Sequence, residues 1–300
     1  MKSKLLIFIS LFMVVFSISD FVAAAPTNQV GIFVNGLRMN VDVAPIQKSS
    51  RILVPIRSLK EMNLAYQWDS RSKTAIITQN DNTVKLTVNK KDAYKNGGKI
   101  ELDVPVIEVK GRILVPIRFI GEAFGGSVQW DNTHKDVIIY SSDKIENLKT
   151  LKTGDLVSAR KLVLSLQPYI DKHWNIGPND FQPSGELSRT VQYVFPKGSA
   201  LEYSLVNGDI TSYIKVDSFG IARLEWIGRS DRKGRIVEEK GKRWSFDYRN
   251  TVYFQISPLD DSVKYGTYDN SRVPTQIGIT QEAKELKDGV REIPNEKRVD

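Results

Sequence analysis

The sequence predicts an α+β protein: a duplicated β-α-β-β domain over residues 26–141, then a second α+β domain over residues 154–280 with one long helix and an antiparallel meander. Three observations support this prediction. An identical heptapeptide occurs twice, strand-like and helix-like runs alternate around each copy, and a single helical pattern in the second half is followed only by strand patterns. The length of 300 residues suits two domains, at about 100 to 200 residues each.

The first 24 residues have the pattern of a secretory signal peptide. Lys2 and Lys4 precede an apolar run over residues 5–18, and small residues lead to an expected cleavage after Ala24. The apolar run is shorter than the roughly 20 residues that a spanning helix needs. We therefore expect a secreted, extracellular protein with no transmembrane segment after cleavage. The chain contains no cysteine, so no disulfide is expected.

The heptapeptide RILVPIR occupies residues 51–57 and returns unchanged at residues 112–118. Its Ile-Leu-Val run favours a strand. The proline that follows, Pro55 or Pro116, cannot donate to a sheet ladder but suits the first turn of a helix. Each copy therefore predicts a strand that runs directly into a short helix.

The duplication extends beyond the heptapeptide in both directions. Downstream, each copy continues with two strand-like runs around a polar turn, which completes a β-α-β-β unit. Upstream, an aspartate stands nine residues before each heptapeptide. The equivalent residues are Asp42 and Asp103, Arg51 and Arg112, Arg57 and Arg118, Glu61 and Glu122, Trp68 and Trp130, and Asp69 and Asp131.

The motif VPIR with a glutamate four residues on, followed by a Trp-Asp pair and a short aliphatic strand, is present twice. In this it resembles the stalk domain family, also called copper amine oxidase N-terminal domain-like, over residues 30–141. The resemblance implies a secreted, non-catalytic α/β module on the outside of Gram-positive bacteria, usually coupled to a second domain. The whole chain has two histidines, His134 and His173, too few for an amine oxidase copper site, whose ligands include several imidazoles. No metal or cofactor is expected.

The charged residues of the predicted helices allow two interpretations. Arg57 and Glu61, like Arg118 and Glu122, are four residues apart, where opposite charges on a helix can meet. We predict an ion pair that braces each helix; the alternative is a paired polar binding site.

The two motif tryptophans also allow two interpretations. A tryptophan on a strand that faces a helix is usually part of the core, so we predict buried side chains for Trp68 and Trp130. The alternative is that they stack on a sugar ring.

The second half begins with a polar stretch over residues 142–153, which is predicted to be a linker. A helix should follow, with Asp155 as its N-cap, a kink at Pro168 and His173 at its end. A strand-rich region with a hairpin turn at Asn207-Gly208 comes next. Residues 281–300 are charged and contain little to bury, so we expect a short helix and then a frayed tail.

Catalytic motifs are largely missing from the sequence. It has no GxSxG elbow, phosphate-binding loop, GxGxxG or EF-hand loop. Asp180 and Glu186, in a Gly- and Pro-rich loop, are the acids that a hydrolase would place most readily. Aromatic residues of the second half are predicted to be mostly core, with a saccharide or peptide platform as the alternative: Tyr203, Tyr213, Trp226, Trp244, Tyr248 and Tyr253.

Positive charge is concentrated on the repeats. Residues 26–145 contain 17 basic and 12 acidic residues, a net charge of +5. Such a domain would be attracted to teichoic acid or other anionic wall polymers, including peptidoglycan, in a salt-dependent way. The alternative is that the charge only aids solubility. Nucleic acid is not expected, because the chain lacks basic-aromatic clusters.

These observations predict a secreted, non-catalytic envelope protein whose stalk-like module attaches or positions a C-terminal binding domain at the Gram-positive cell wall. Two alternatives remain open: an exported hydrolase with its catalytic site in the C-terminal domain, and an exported regulatory protein that binds another envelope protein. A cavity with converging acids or His173 would favour the hydrolase. A long exposed edge strand would favour the protein-binding alternative.

Overall fold

A computed structural model describes residues 30–177, 180–183, 191–243, 247–257, 262–271, 273–281 and 286–300. The predicted signal peptide lies outside these residues. The fold is mixed α+β, with sheets as the main component and few helices. We call residues 30–141 the repeat domain and residues 154–300 the C-terminal part. No helix in the described ranges has the length and apolar composition to cross a bilayer.

The repeat domain consists of three small sheets, with the strand orders β12-β13-β1-β2, β10-β11-β4-β3 and β5-β6-β7-β8-β9. The strands are β1 (Gly31–Val34), β2 (Leu37–Arg38), β3 (Ile46–Lys48), β4 (Arg51–Pro55), β5 (Ala65–Asp69), β6 (Thr74–Gln79), β7 (Asn82–Thr87), β8 (Asp92–Lys95), β9 (Gly98–Glu101), β10 (Ile107–Val109), β11 (Arg112–Pro116), β12 (Ser127–Asp131) and β13 (Asp136–Tyr140).

The two heptapeptides pair with each other. Strands β4 and β11 are antiparallel, and Val54 lies opposite Val115, its own equivalent in the other copy. Leu53 lies opposite Pro116, and Pro55 lies opposite Leu114. Exchanging the two copies therefore leaves the pairing of residues unchanged. The repeat domain therefore has a local pseudo-two-fold axis between Val54 and Val115.

A helix follows each heptapeptide, as the prolines predict. The first is a 3₁₀ helix, Ile56–Met62, and the second is the α-helix α1, Ile117–Ala123. The order within each copy is hairpin, helix, hairpin. The two hairpins of a copy belong to different sheets, so neither copy is a self-contained unit with one sheet. Buried side chains of both copies form one shared core, which includes Leu59, Ile77 and Ile120.

The predicted linker is not an extended connection. Residues 142–144 form a 3₁₀ turn and Ile145–Thr153 form the helix α2. Leu148 and Leu151, three residues apart, are buried on one face of α2. Leu148 packs with core residues of the repeat domain and Leu151 with the C-terminal core. The segment is polar overall, but these two leucines are enough to pack it against both the repeat domain and the C-terminal part.

The predicted long helix is also wrong. Helix α3 covers only Leu156–Val163, although Asp155 caps it as predicted by accepting a hydrogen bond from the Ser158 amide at 2.9 Å. The chain leaves the helix before Pro168, which disfavours helical backbone in the preceding residue. Tyr169 instead forms a short parallel β-bridge with Arg223. His173 lies in a separate 3₁₀ turn, Lys172–Trp174.

The C-terminal part is built on one antiparallel sheet with the order β18-β17-β16-β15-β14-β19-β20-β21. The turn at Asn207-Gly208 joins β15 and β16, which confirms the predicted hairpin. The predicted strand around Trp244 lies mostly outside the described residues, and Tyr248 precedes β19 in a loop. The strands are β14 (Val191–Pro196), β15 (Glu202–Asn207), β16 (Ile210–Val216), β17 (Ala222–Ser230), β18 (Ile236–Gly241), β19 (Thr251–Ser257), β20 (Ser262–Tyr268) and β21 (Pro274–Thr280).

The last segment is not a frayed tail. A 3₁₀ helix, Leu286–Gly289, precedes Val290 and Ile293, and both of these side chains are buried in the C-terminal core. Glu296 forms a buried ion pair with Arg160 of α3. Two apolar anchors and one buried charge pair are enough to fix a segment whose overall composition is strongly charged.

An ionic and aromatic cluster joins the two parts of the chain. The Arg223 guanidinium lies 3.4 Å from the carboxylates of both Asp131 and Asp136 in the repeat domain. It also lies 5.5 Å from the ring centre of Phe33, and that ring packs edge-on against Tyr169 at 5.3 Å. The repeat domain and the C-terminal part are therefore connected by a buried network as well as by α2.

Candidate functional site

Two grooves open on the surface of the repeat domain, one beside each motif tryptophan. The Trp68 groove has a volume of about 280 Å³ and is also lined by Arg57 and Arg112. The Trp130 groove has a volume of about 490 Å³ and is also lined by Arg118 and Arg51. The two grooves use equivalent residues, and the pseudo-two-fold axis relates one to the other.

Each groove requires both copies of the repeat. Because β4 and β11 run antiparallel, the start of one heptapeptide lies at the end of the other. Arg112 therefore joins Arg57 and Trp68 in one groove, and Arg51 joins Arg118 and Trp130 in the other. The sequence showed the duplication, but the shared grooves depend on strand pairing that the duplication alone does not reveal.

The prediction that both tryptophans are core residues is wrong. The Trp68 side chain is 46% exposed and the Trp130 side chain 40% exposed. Both point to the core face of their sheets, since their cross-strand neighbours Ala75 and Val137 belong to the shared core of the repeat domain. They stay accessible because β5 and β12 are edge strands, and the core does not extend over them.

The predicted ion pairs along the helices do not form. Within the described parts of the chain, no ion pair is found for Arg57 or Arg118, and Glu61 contacts Lys60 at 3.5 Å instead. In the first copy the cause is the helix type: a 3₁₀ helix has three residues per turn, so positions four apart lie on different faces. Arg57 and Arg118 remain exposed at the grooves.

The other two motif arginines form ion pairs between the copies. Arg51 contacts Asp103 at 2.6 Å, and Arg112 contacts Asp42 at 2.6 Å. The hydrogen bond from Arg112 lowers the pKa of the Asp42 carboxyl. Both pairs are largely exposed and so contribute little to stability. They hold one arginine in place at each groove, and the duplicated aspartate was the sequence signal for them.

The aspartates of the Trp-Asp pairs cap turns. Asp69 accepts hydrogen bonds from the amides of Arg71 and Ser72, and Asp131 accepts equivalent bonds from Thr133 and His134. Both aspartates thus stabilise the turn that follows the tryptophan strand, which positions that strand beside its groove.

Three potential metal ligands, on Asp131, His134 and Asp136, have ligand atoms within 4.8 Å of one another. The Arg223 guanidinium already contacts both carboxylates, and the His134 ring nitrogen lies 2.5 Å from Asp131. Burial raises the pKa of Asp136, and Arg223 and Arg38 oppose that shift. The cluster already has a cation, and it functions as the contact between the two parts.

The residues proposed for a hydrolase do not converge in the described structure. Asp180 accepts a hydrogen bond from the Gly177 amide, and His173 contacts Asp171 at 2.7 Å in an exposed turn. Glu186 lies outside the described residues. A cavity of about 520 Å³ beside β20 is lined by one acid, Asp269, and by no histidine.

The aromatic residues of the second half are mostly core, as predicted, and the alternative of an exposed platform is unsupported for most of them. Four of the six residues are buried in the C-terminal part: Tyr203, Tyr213, Trp226 and Tyr253. Trp244 lies outside the described residues, and Tyr248 packs edge-on against Tyr268 with ring centres 5.6 Å apart.

Residues 33–139 match the model of a known family, the Copper amine oxidase N-terminal domain. No curated protein matches the chain with significant similarity. The matched residues extend from β1 to β13 and include both copies of the heptapeptide and both grooves. The match falls within the repeat domain, and it agrees with the family that the duplicated motif resembles.

Proposed function

We propose that this chain is an exported, non-catalytic envelope protein whose repeat domain attaches it to the cell wall by binding wall glycans in the two tryptophan grooves. One observation carries the proposal. In each groove an exposed indole ring lies beside an arginine that has no ion pair within the described residues, Trp68 with Arg57 and Trp130 with Arg118.

This pairing of residue types suits an anionic saccharide. An indole ring offers a large apolar face, on which the C–H face of a sugar ring can stack. A guanidinium presents several donors in a fixed plane, which match carboxylate or phosphate oxygens. The net charge of +5 over residues 26–145 would also attract anionic wall polymers. The C-terminal part is then the cargo that the repeat domain positions.

Removing both groove tryptophans should abolish most of the wall binding. We expect the Trp68→Ala/Trp130→Ala variant of the full exported chain to bind purified Gram-positive cell walls at least tenfold more weakly in cosedimentation, because both stacking surfaces are lost. Walls stripped of teichoic acid would separate the contribution of that polymer from that of peptidoglycan.

Tyr94 provides a matched control, because it is an exposed aromatic residue that lines neither groove. Tyr94→Ala should bind walls like the unaltered chain. Unchanged binding of the double tryptophan variant, with its thermal unfolding also unchanged, would rule the grooves out as the wall-binding sites.

The protein-binding alternative also has one observation in its favour. Strand β21 is an edge of the large sheet, its seven residues carry no charge, and Ile277 and Ile279 are exposed. The opposite edge, β18, is blunted by Glu238, Glu239 and Lys240. An uncharged extended segment of another envelope protein would fit β21.

A photo-crosslinking residue can test this alternative. Placed at Thr275 in β21, it should give one discrete adduct in the exporting cell, and placed at Val237 in β18 it should give none. Equal labelling from both positions, or no adduct from either, would remove the protein-binding alternative.

A further inference from the structure

The two grooves are not chemically equivalent. Phe119, the second aromatic residue of the Trp130 groove, is partly buried against the core, whereas the second aromatic residue of the Trp68 groove is exposed. Tyr66 lines it two residues before Trp68 on the same face of β5. In the Trp130 groove, Val128 holds the equivalent position. Residues two apart on a strand are about 7 Å apart, so Tyr66 and Trp68 form a continuous platform wide enough for a sugar ring and its neighbour.

The Trp68 groove is also the less acidic of the two. Arg112 is paired with Asp42. Glu61 contacts Lys60 at 3.5 Å and does not line the groove, although its charge adds to the effect of burial in raising the pKa of Tyr66. What remains is Arg57 with a single carboxylate, Glu108.

In the Trp130 groove, carboxylates outnumber the unpaired arginine. Arg51 and Asp103 neutralise each other in an ion pair. The remaining charged residues that line this groove are Arg118 and two carboxylates, Glu101 and Glu122. A negatively charged ligand therefore meets less repulsion in the Trp68 groove.

We infer that the Trp68 groove binds a glycan through a carboxylate-bearing sugar; this rests on the saccharide-binding function proposed above. The sugar ring lies on Tyr66 and Trp68, and its carboxylate accepts two parallel hydrogen bonds from Arg57. Glu108 lines the same groove and is available to the ring hydroxyls. A sugar carboxylate fits better than the phosphodiester of a polyol phosphate, because the carboxylate is carried on a ring that can stack on Tyr66 and Trp68 while it reaches Arg57, and a glycerol phosphate chain has no such ring.

A pair of oligosaccharides that differ only in charge can test this inference. We expect the full exported chain to bind tetragalacturonate at least tenfold more tightly than its methyl ester in titration calorimetry at low salt. Arg57→Gln should abolish that preference, and Trp68→Ala should weaken the binding of both ligands. Arg71→Gln is the matched control: Arg71 is exposed on the repeat domain and lines neither groove, so this variant should keep the preference.

The possible results separate the inference from the wider proposal. If the acid and the ester bind with equal affinity, and Trp68→Ala abolishes the binding of both, the inference of a carboxylate-specific site is overturned. Saccharide binding in the groove would still stand. Tighter binding of a glycerol phosphate tetramer than of tetragalacturonate would also overturn it, because phosphate would then be the preferred anion. If neither oligosaccharide binds, the inference fails, and the double tryptophan variant decides whether the wall-binding proposal fails with it.

Discussion

Replacing Glu296 by alanine is expected to lower the free energy of unfolding by about 3–5 kcal/mol, because it leaves the Arg160 guanidinium buried without its counter-charge. The Arg160 side chain is 1% exposed and that of Glu296 2%. Two parallel hydrogen bonds join them at 2.8 and 2.6 Å, and Arg160 also donates to the Ser199 carbonyl. Urea unfolding followed by circular dichroism measures the loss.

Two further variants isolate the cause of this loss. Glu292→Ala removes an exposed acid from the same segment and should change stability by no more than about 0.5 kcal/mol. Arg160→Met combined with Glu296→Met removes both charges, and it should cost less than Glu296→Ala alone, since no unpaired charge remains. A loss below about 1 kcal/mol for Glu296→Ala would mean that the last segment does not hold the fold together.

Replacing Arg223 by methionine is expected to have a similarly large effect, about 3–5 kcal/mol at neutral pH. The substitution leaves the buried carboxylates of Asp131 and Asp136 without the cation between them, and it also removes the contact of Arg223 with Asp217 at 2.8 Å. Since this network joins the two parts, we expect them to unfold in separate steps. Calorimetry would show two transitions in place of one.

The loss in the free energy of unfolding caused by Arg223→Met should depend on pH. Burial already raises the pKa of Asp136 above its ordinary value of 3.8, and losing Arg223 removes an opposing influence. A carboxyl whose folded pKa is raised binds its proton more tightly in the folded state, so its penalty to stability grows as the pH rises from the unfolded pKa to the folded pKa and is constant above it. The gap between the variant and the unaltered chain should therefore narrow as the pH falls towards 4.

Arg235→Met serves as the control for this experiment. Arg235 pairs with Asp231 in an exposed hairpin, away from the network, and its loss should not measurably change stability at any pH. A stability loss for Arg223→Met that stays constant from pH 7 to pH 4 would show that protonation of Asp136 does not relieve it.

Local features of the fold followed from the sequence. The prolines correctly predicted where both helices begin. Asp155 correctly predicted the N-cap of α3, and Asn207-Gly208 correctly predicted a hairpin turn. Each of these depends on a few neighbouring residues and their backbone preferences.

Features that depend on distant partners could not be predicted in the same way. Trp68 is exposed because β5 is an edge strand, which strand order decides. Glu296 meets Arg160 across 136 residues, and Arg223 meets Asp131 across 92. A local pattern of charged and apolar residues does not indicate such pairs. The prediction of a frayed tail was therefore wrong, and no contact between the two parts was predicted.

The pairing of Val54 with Val115 has the symmetry of a homodimer whose two subunits have been fused into one chain. A single copy of the repeat has the tryptophan and one arginine of a groove, but the second arginine comes from the other copy. A one-copy precursor could have built either groove only by associating with a second molecule. Gene duplication would have removed that dependence on concentration, and it would have let one site change its specificity while the other kept the original one.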